Sequence, residues 1–224
     1  MKLTRNDIHE YVASFEARHD PYARYASFDY CYNYFHPKTG SNLLADMEKS
    51  CLSLGFYLSS WGMFRGSSFM LAKSSKNFEG LIEYIASLKV DAWSIDVSNY
   101  TSENLDFLVE QYNEIRSLII PENTSHLVLV TKIMLGVFGS VPAYDRFFKT
   151  TFSDIFKGEC GFTRFNHRSL SCIGQFYQQN QSIIDQISES RATIDFYTGN
   201  RTDKTYTKAK VVDMYGFTKA LQST

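Results

Sequence analysis

The residues best suited to chemistry sit in one apolar run, Thr131 to Phe148, which carries Lys132, Gly136, Gly139, Pro142, Asp145 and Arg146. A carboxylate placed where one buried helix ends and another begins is costly to desolvate unless a partner or a reaction uses it. Asp145 is therefore a candidate catalytic carboxylate, and Lys132 on the preceding helix a candidate second charge. The plainer roles are a helix N-cap for Asp145, an ion pair for Arg146 and a surface-snorkelling side chain for Lys132. A second stretch, Tyr57 to Phe69, alternates small residues with large aromatics around Arg65. Tyr57, Trp61, Phe64 and Arg65 have the types of a pocket that stacks on a flat ring, and Asn33, from the aromatic cluster between Tyr22 and Phe35, is a candidate reader of that ring's edge. The same aromatics equally suit a packed core.

Common catalytic templates are missing. There is no Walker A loop, no dinucleotide-binding glycine motif, no H-E-x-x-H and no G-x-S-x-G. Five histidines are scattered, and Cys31, Cys51, Cys160 and Cys172 show no metal-site or disulfide-framework spacing. The expectation is a protein with no metal and no cofactor.

These residues must be positioned by helices. Four prolines and twelve glycines in 224 residues favour long helices over many short strands. A first helix opens on Thr4 with Asp7 in a capping-box arrangement and stops at Asp20-Pro21; a second occupies Tyr22 to Phe35, followed by a turn from His36 to Gly40. Ser41 opens a long amphipathic helix through Leu58, and others run from Ser75 to Leu88 and from Thr101 to Ile119. After a break at Pro121-Glu122-Asn123-Thr124, with Ser125 as N-cap, helix resumes through Met134. Gly136 and Gly139 serve termination or close packing. Lys157 to Gly161 is a loop, a Gln-rich helix spans Ser169 to Ile187, and the last helix spans Thr205 to Leu221. The best strand, around Trp93 to Val97, is too short to seed a sheet. The fold class is all-α or nearly so: a compact multi-helix unit over residues 1–224, as one domain or two closely packed lobes.

The net charge of −1 weighs against nucleic acid as partner, since such domains are usually basic. That average conceals an asymmetry: residues 146–224 hold eleven Lys and Arg against seven Asp and Glu, whereas residues 42–123 hold six against eleven. The N-terminus lacks the apolar stretch of a signal peptide, and no run of about eighteen apolar residues occurs. A soluble, cytoplasmic protein without membrane contact is expected.

Residues 101–150 parse as helix, short break, helix, loop and then Pro142-Ala143-Tyr144-Asp145. Here the chain resembles the helix-hairpin-helix DNA glycosylase superfamily, in its 8-oxoguanine glycosylase-like fold, and within it the phage-defence glycosylases that remove hypermodified cytosines. In that family the second hairpin helix carries a lysine in bifunctional members, and a following loop delivers the catalytic aspartate after a proline. The resemblance implies Asp145 as the catalytic carboxylate and Lys132 at the lysine position. Lys132 lies well inside its helix rather than at its start, which implies a monofunctional enzyme. The family hairpin is glycine-rich; Pro121-Glu122-Asn123-Thr124 has none, and a rival register at Leu135-Gly136-Val137-Phe138-Gly139 has two.

The implied function is excision of a modified or damaged base from DNA, in anti-phage defence or repair, leaving an abasic site. A carboxylate stabilises the oxocarbenium-like sugar and activates water, after the base has been flipped into an aromatic pocket. Arg146, Lys149, Arg164 and Arg168, with Lys157, would hold phosphates. The alternative is a non-enzymatic helical protein-interaction module with Asp145 and Arg146 as structural ions. A helical regulator using the Trp61–Ser68 stretch as a small-molecule pocket comes third.

Overall fold

The computed structural model describes residues 5–36 and 40–223. Ten α-helices dominate: α1 (Arg5–Glu16), α2 (Ala26–Phe35), α3 (Gly40–Ala45), α4 (Met47–Ser60), α5 (Glu79–Ser87), α6 (Ser102–Ile119), α7 (Leu127–Phe138), α8 (Arg146–Ile155), α9 (His167–Ser190) and α10 (Lys208–Gln222). Short 3₁₀ turns lie between α4 and α6, and two strands, β1 (Ala192–Ile194) and β2 (Arg201–Thr205), form an antiparallel hairpin before α10. The fold is nearly all-α.

The architecture follows from α7. Apart from Thr131 and Lys132 its sequence is apolar, and Leu129 through Phe138 are all buried. Such a helix has no solvent side and must be surrounded; α2, α4 and α6 pack around it. Two glycines set how it packs and where it ends. A Cβ on Gly136 would stand 2.3 Å from the Tyr57 ring, so only glycine lets α4 approach. Gly139 adopts a left-handed φ of 65° and ends the helix at its C-cap. The second buried helix is α10, which lies against α8 because Gly216 admits the Phe148 and Phe152 rings, 2.8 and 3.0 Å from where its Cβ would be.

Two aspartates, Asp29 buried and Asp96 half-buried, tie distant segments together by accepting backbone N–H groups that would otherwise be orphaned. Asp29 of α2 accepts from Ile194 of β1 at 2.8 Å. Asp96 accepts from Lys208 and Ala209 at 2.8 Å each, capping α10 from the 3₁₀ turn that it also opens.

Several expected boundaries move. The helix expected from Ser41 to Leu58 is broken at Asp46 into α3 and α4. The helix expected from Tyr22 starts at Ala26, and Trp93–Val97 belongs to 3₁₀ turns rather than a strand. Thr205, expected to open the last helix, is in β2; Thr207 caps α10 instead, accepting from Lys210 N at 3.2 Å. His126, not Ser125, is the N-cap residue of α7. The Thr4 cap and the turn at 37–39 lie outside the described residues. Among the described residues no helix is long and apolar enough to cross a membrane.

Candidate functional site

The Pro142–Asp145 element is held between α7 and α10. Ala143 N donates to Asp213 Oδ1 of α10 at 3.0 Å, and Tyr144 N donates to Thr131 Oγ1 of α7 at 3.0 Å. The Tyr144 hydroxyl donates to Ser169 Oγ at 3.0 Å, while its ring stacks on Phe148 with centroids 5.3 Å apart. Asp145 follows as the N-cap of α8, its Oδ1 accepting from Phe148 N at 2.9 Å. A capping carboxylate at a helix start is favoured by the free N–H groups there. Asp145 remains half-buried, and the cap takes one carboxylate oxygen.

Lys132 does not snorkel. It is 5% exposed, and its Nζ donates to the Trp61 carbonyl at 2.7 Å, where α4 ends. A second lysine lies on the other helix. Lys210 is 1% exposed, its Nζ 3.2 Å from Asp213 Oδ2 and 4.4, 4.5 and 5.1 Å from the ring centroids of Phe28, Trp61 and Phe15. Lys132 Nζ lies 5.7 Å from the Trp61 centroid, so one indole serves both ammonium groups. Cation–π contacts reach about 2 kcal/mol when desolvated, which offsets part of the desolvation cost of the charge. The Trp61 Nε1 donor is buried without a hydrogen-bond partner among the described residues.

Burial pushes the Lys132 pKa down; the Asp145 and Asp213 carboxylates pull it back, and Arg65 and Arg24 depress it further. Burial likewise lowers Lys210, opposed by Asp213 and then by Asp29 and Asp145. It raises Asp213, opposed by Lys210. Each member of the Lys210–Asp213 pair thus holds the other's charge against the apolar surroundings.

Exposed arginines border this cluster. Arg65 folds over Gly62, which takes a left-handed φ of 78°, with its Nε 2.9 Å from where a Cβ would be. Arg24 donates to the Ser60 carbonyl and lies over Tyr25, 5.2 Å from its centroid; Arg146 lies over Phe147 at 4.7 Å. Lys149 is half-buried one turn into α8, and Lys157 is exposed beyond its end. Arg164 and Arg168 are exposed beside Phe165 and Ser169, both of which touch Tyr144.

Two expected ring-contacting residues have other work. Tyr57 is fully buried; its hydroxyl donates to the Lys132 carbonyl at 3.0 Å and its ring fills the space beside Gly136, so it offers no stacking face. Asn33 holds the hairpin to α2, its Nδ2 donating to Ile194 O at 2.9 Å and its Oδ1 accepting from Thr193 Oγ1 at 2.8 Å. It lines a concavity of about 460 Å³ with Tyr34, Phe56, Phe196 and Tyr197. Trp61 is central to the cluster, Arg65 is on its border, and Phe64 is half-buried against the core. Asp145 and Lys132 line neither the Asn33 concavity nor four others among the described residues. Lys210 and Asp213 were not expected. Their signal is the one that marked Lys132: charged residues inside an apolar stretch, Ala209-Lys210-Val211-Val212-Asp213-Met214.

The rival hairpin register does not form a hairpin, since Gly136 lies inside α7 and Gly139 ends it. The turn between α6 and α7 falls at Pro121–Thr124, where Asn123 takes a left-handed φ of 58° and Thr124 N donates to Pro121 O at 3.3 Å. Asparagine tolerates that conformation better than most residues with a side chain. Among the described residues no group of three or more His, Cys, Asp or Glu comes together as a metal site. No protein-family model, no curated protein and no solved structure matches this chain.

Proposed function

We propose that this protein is a monofunctional DNA N-glycosylase that excises a modified or damaged base, with Asp145 as its catalytic carboxylate. One observation carries the reading: a half-buried carboxylate, on a loop pinned at two successive amides, beside two desolvated lysines and bordered by exposed arginines. Burying two lysines and an aspartate is a net cost to folding that a purely structural cluster could avoid with apolar residues.

In this mechanism the C1′–N bond breaks with its electron pair leaving on the base, which takes up a proton. Positive charge develops on the sugar, and the Asp145 carboxylate stabilises it. Water adds to C1′ and gives its proton to Asp145, which releases it to solvent as solvent protonates the departed base, leaving an abasic site. Lys132 acts through its charge. Its amine donates to the Trp61 carbonyl and is almost wholly buried, unsuited to attack on a sugar, in keeping with a monofunctional enzyme. Arg24, Arg65 and Arg146, with Lys149, Arg164 and Arg168 further out, would hold phosphates. Removal of hypermodified phage bases in the cytoplasm is the setting that the family resemblance supplies.

The test is incubation of the protein with duplexes carrying a panel of oxidised, alkylated and hypermodified bases, reading abasic sites by alkaline cleavage. Cleavable sites on at least one duplex, with binding that weakens steeply as salt rises, are expected. No abasic site on any duplex would remove the reading. The alternative, a protein-interaction module, draws on exposed Phe56, Phe196 and Tyr197 around the Asn33 concavity. It is favoured if DNA is not bound at low salt.

A further inference from the structure

Helix α4 has two unlike sides. It buries Leu54, Tyr57 and Leu58, and leaves Lys49, Leu52 and Phe56 exposed with half-buried Ser53 between them. Spacings of three and four residues put these last four on one stripe. That stripe, the outer side of α2 and the tip of the β1–β2 hairpin wall the concavity of about 460 Å³ that Asn33 lines. Phe196 of the tip meets Tyr30 of α2 at 5.0 Å and Tyr197 at 5.5 Å. Leu52 is 50% exposed, Phe56 65%, Phe196 67% and Tyr197 81%. Tyr22, 97% exposed, follows Pro21, whose carbonyl accepts from the Tyr30 hydroxyl at 2.5 Å.

Taking about 150–250 Å² per aromatic side chain, these five residues expose on the order of 600–700 Å² of largely apolar surface. Monomers rarely leave more than a few hundred Å² exposed in one patch. With its polar rim the face matches the roughly 800 Å² per partner that a stable interface buries. Its charges indicate what covers it. Lys49 Nζ stands over Tyr34, 5.9 Å from the ring centroid, at one end of the concavity. Asp195 precedes Phe196, which packs on Tyr30, one turn of α2 before Tyr34. Hydrogen bonds from Thr198 and from Tyr197 N hold the Asp195 carboxyl below the usual carboxylate range, so it is an anion. Those bonds use Oδ1 alone, and neither Asp195 nor Lys49 enters an ion pair among the described residues. A purely acidic or purely basic partner would satisfy one of the two and repel the other. A second copy turned about a two-fold axis sets each Lys49 against the other copy's Asp195 and satisfies both.

We propose that this face binds a second copy of the chain in an isologous two-fold dimer. The Leu52–Phe56 stripe and the Phe196–Tyr197 tip pack on their counterparts, and Lys49 pairs with Asp195 in both directions. Ser53, the small residue in the stripe, lets the two α4 helices approach. Asp145, Lys132 and Trp61 are not in this lining, so the dimer does not depend on the glycosylase reading.

The experiment is sedimentation velocity of the full chain over a concentration series, with circular dichroism to confirm that each variant is folded. The mass is expected to rise from one chain to two as concentration increases. Phe56→Asp replaces an exposed ring, should leave the fold intact, and should raise the dimer dissociation constant at least about 30-fold. Lys49→Glu and Asp195→Lys should each weaken the dimer at least about tenfold by setting like charges face to face. An equimolar mixture of these two variants should recover the wild-type affinity, because in the mixed dimer the two reversed charges face each other and so do the two native ones. A single-chain mass at every concentration overturns the proposal and leaves the face to a different protein. A dimer that Phe56→Asp does not weaken places the contact elsewhere and overturns it too. A mixture of the two folded charge variants no more dimeric than either alone overturns the two-fold pairing.

Discussion

Two ion clusters lie on either side of the Phe15–Phe28 rings, and they are built to different ends. In the first, Asp29 is 0% exposed and its carboxylate is closed off by protein groups. The Tyr206 hydroxyl donates to it at 3.0 Å and Ile194 N at 2.8 Å; His19 Nε2 stands 3.3 Å away without a hydrogen bond among the described residues. Every partner belongs to another segment, so the cluster ties α1, α2 and the hairpin together. In the second, Asp213 is closed off in the same manner by Lys210 and Ala143 N, but Asp145 is only half-buried. Similar side chains thus make a knot around a fully buried carboxylate in one place and, in the other, a buried lysine–aspartate cluster with one half-buried carboxylate beside exposed arginines. On the glycosylase reading proposed above, the half-buried carboxylate is the one that does chemistry.

Substitutions should pull the two apart. Asp29→Ala strands the Tyr206 hydroxyl and the Ile194 amide, and should cost about 3–5 kcal/mol in urea unfolding while leaving excision per folded molecule intact. A comparable loss of excision with no loss of stability would invert the assignment of the two clusters. Lys210→Met leaves Asp213 buried and unpaired, at about 3 kcal/mol. Adding Asp213→Asn, which keeps an acceptor for Ala143 N, should recover part of that loss, and a double variant worse than the single would mean that the pair is not coupled. Gly136→Ala drives a methyl into the Tyr57 ring that braces the Lys132 turn, and should lower stability by about 1–3 kcal/mol. Unchanged stability there would show that α4 is free to move away.

The smallest effect is on pH dependence. Lys132 and Lys210 are held below the ordinary lysine value by burial. Between the folded and unfolded values the unfolded chain binds more protons, so stability rises as pH climbs through that window. Asp213, raised by burial, gives the opposite slope above the ordinary carboxylate value. Lys132→Met should therefore flatten the alkaline rise in urea midpoints measured from about pH 7.5 to about pH 10. An identical slope in the variant would mean that Lys132 titrates normally.

Much of this was legible in the chain because it is local. An apolar run with few charges becomes the buried α7, which runs past Gly136 to end at Gly139 rather than stopping at Met134, and an aspartate three residues before a phenylalanine amide caps α8. What escaped is set by long-range pairing. The strand Arg201–Thr205 is polar and alternately exposed, so its composition reads as loop until Asp29 and Asn33 grip its partner strand. A tyrosine in a small-residue stretch reads as a pocket wall, and only the missing Cβ of a glycine on another helix makes Tyr57 core. Lys132 carried the right anomaly, but its partner is a backbone carbonyl, Trp61 O, that no side-chain pattern reveals. Lys210 and Asp213 look like a surface i,i+3 pair until the helix that bears them is buried.

The central claim is that the open cluster breaks glycosidic bonds and the closed one does not. It is tested most directly by single-turnover excision on the best duplex, comparing wild type, Asp145→Asn and Asp29→Asn, each normalised to folded protein. Asparagine is as good an N-cap as aspartate, so Asp145→Asn keeps the loop while removing the charge. The account predicts a rate at least about 100-fold lower in Asp145→Asn and an unchanged rate in Asp29→Asn. Equal rates in wild type and Asp145→Asn would contradict it.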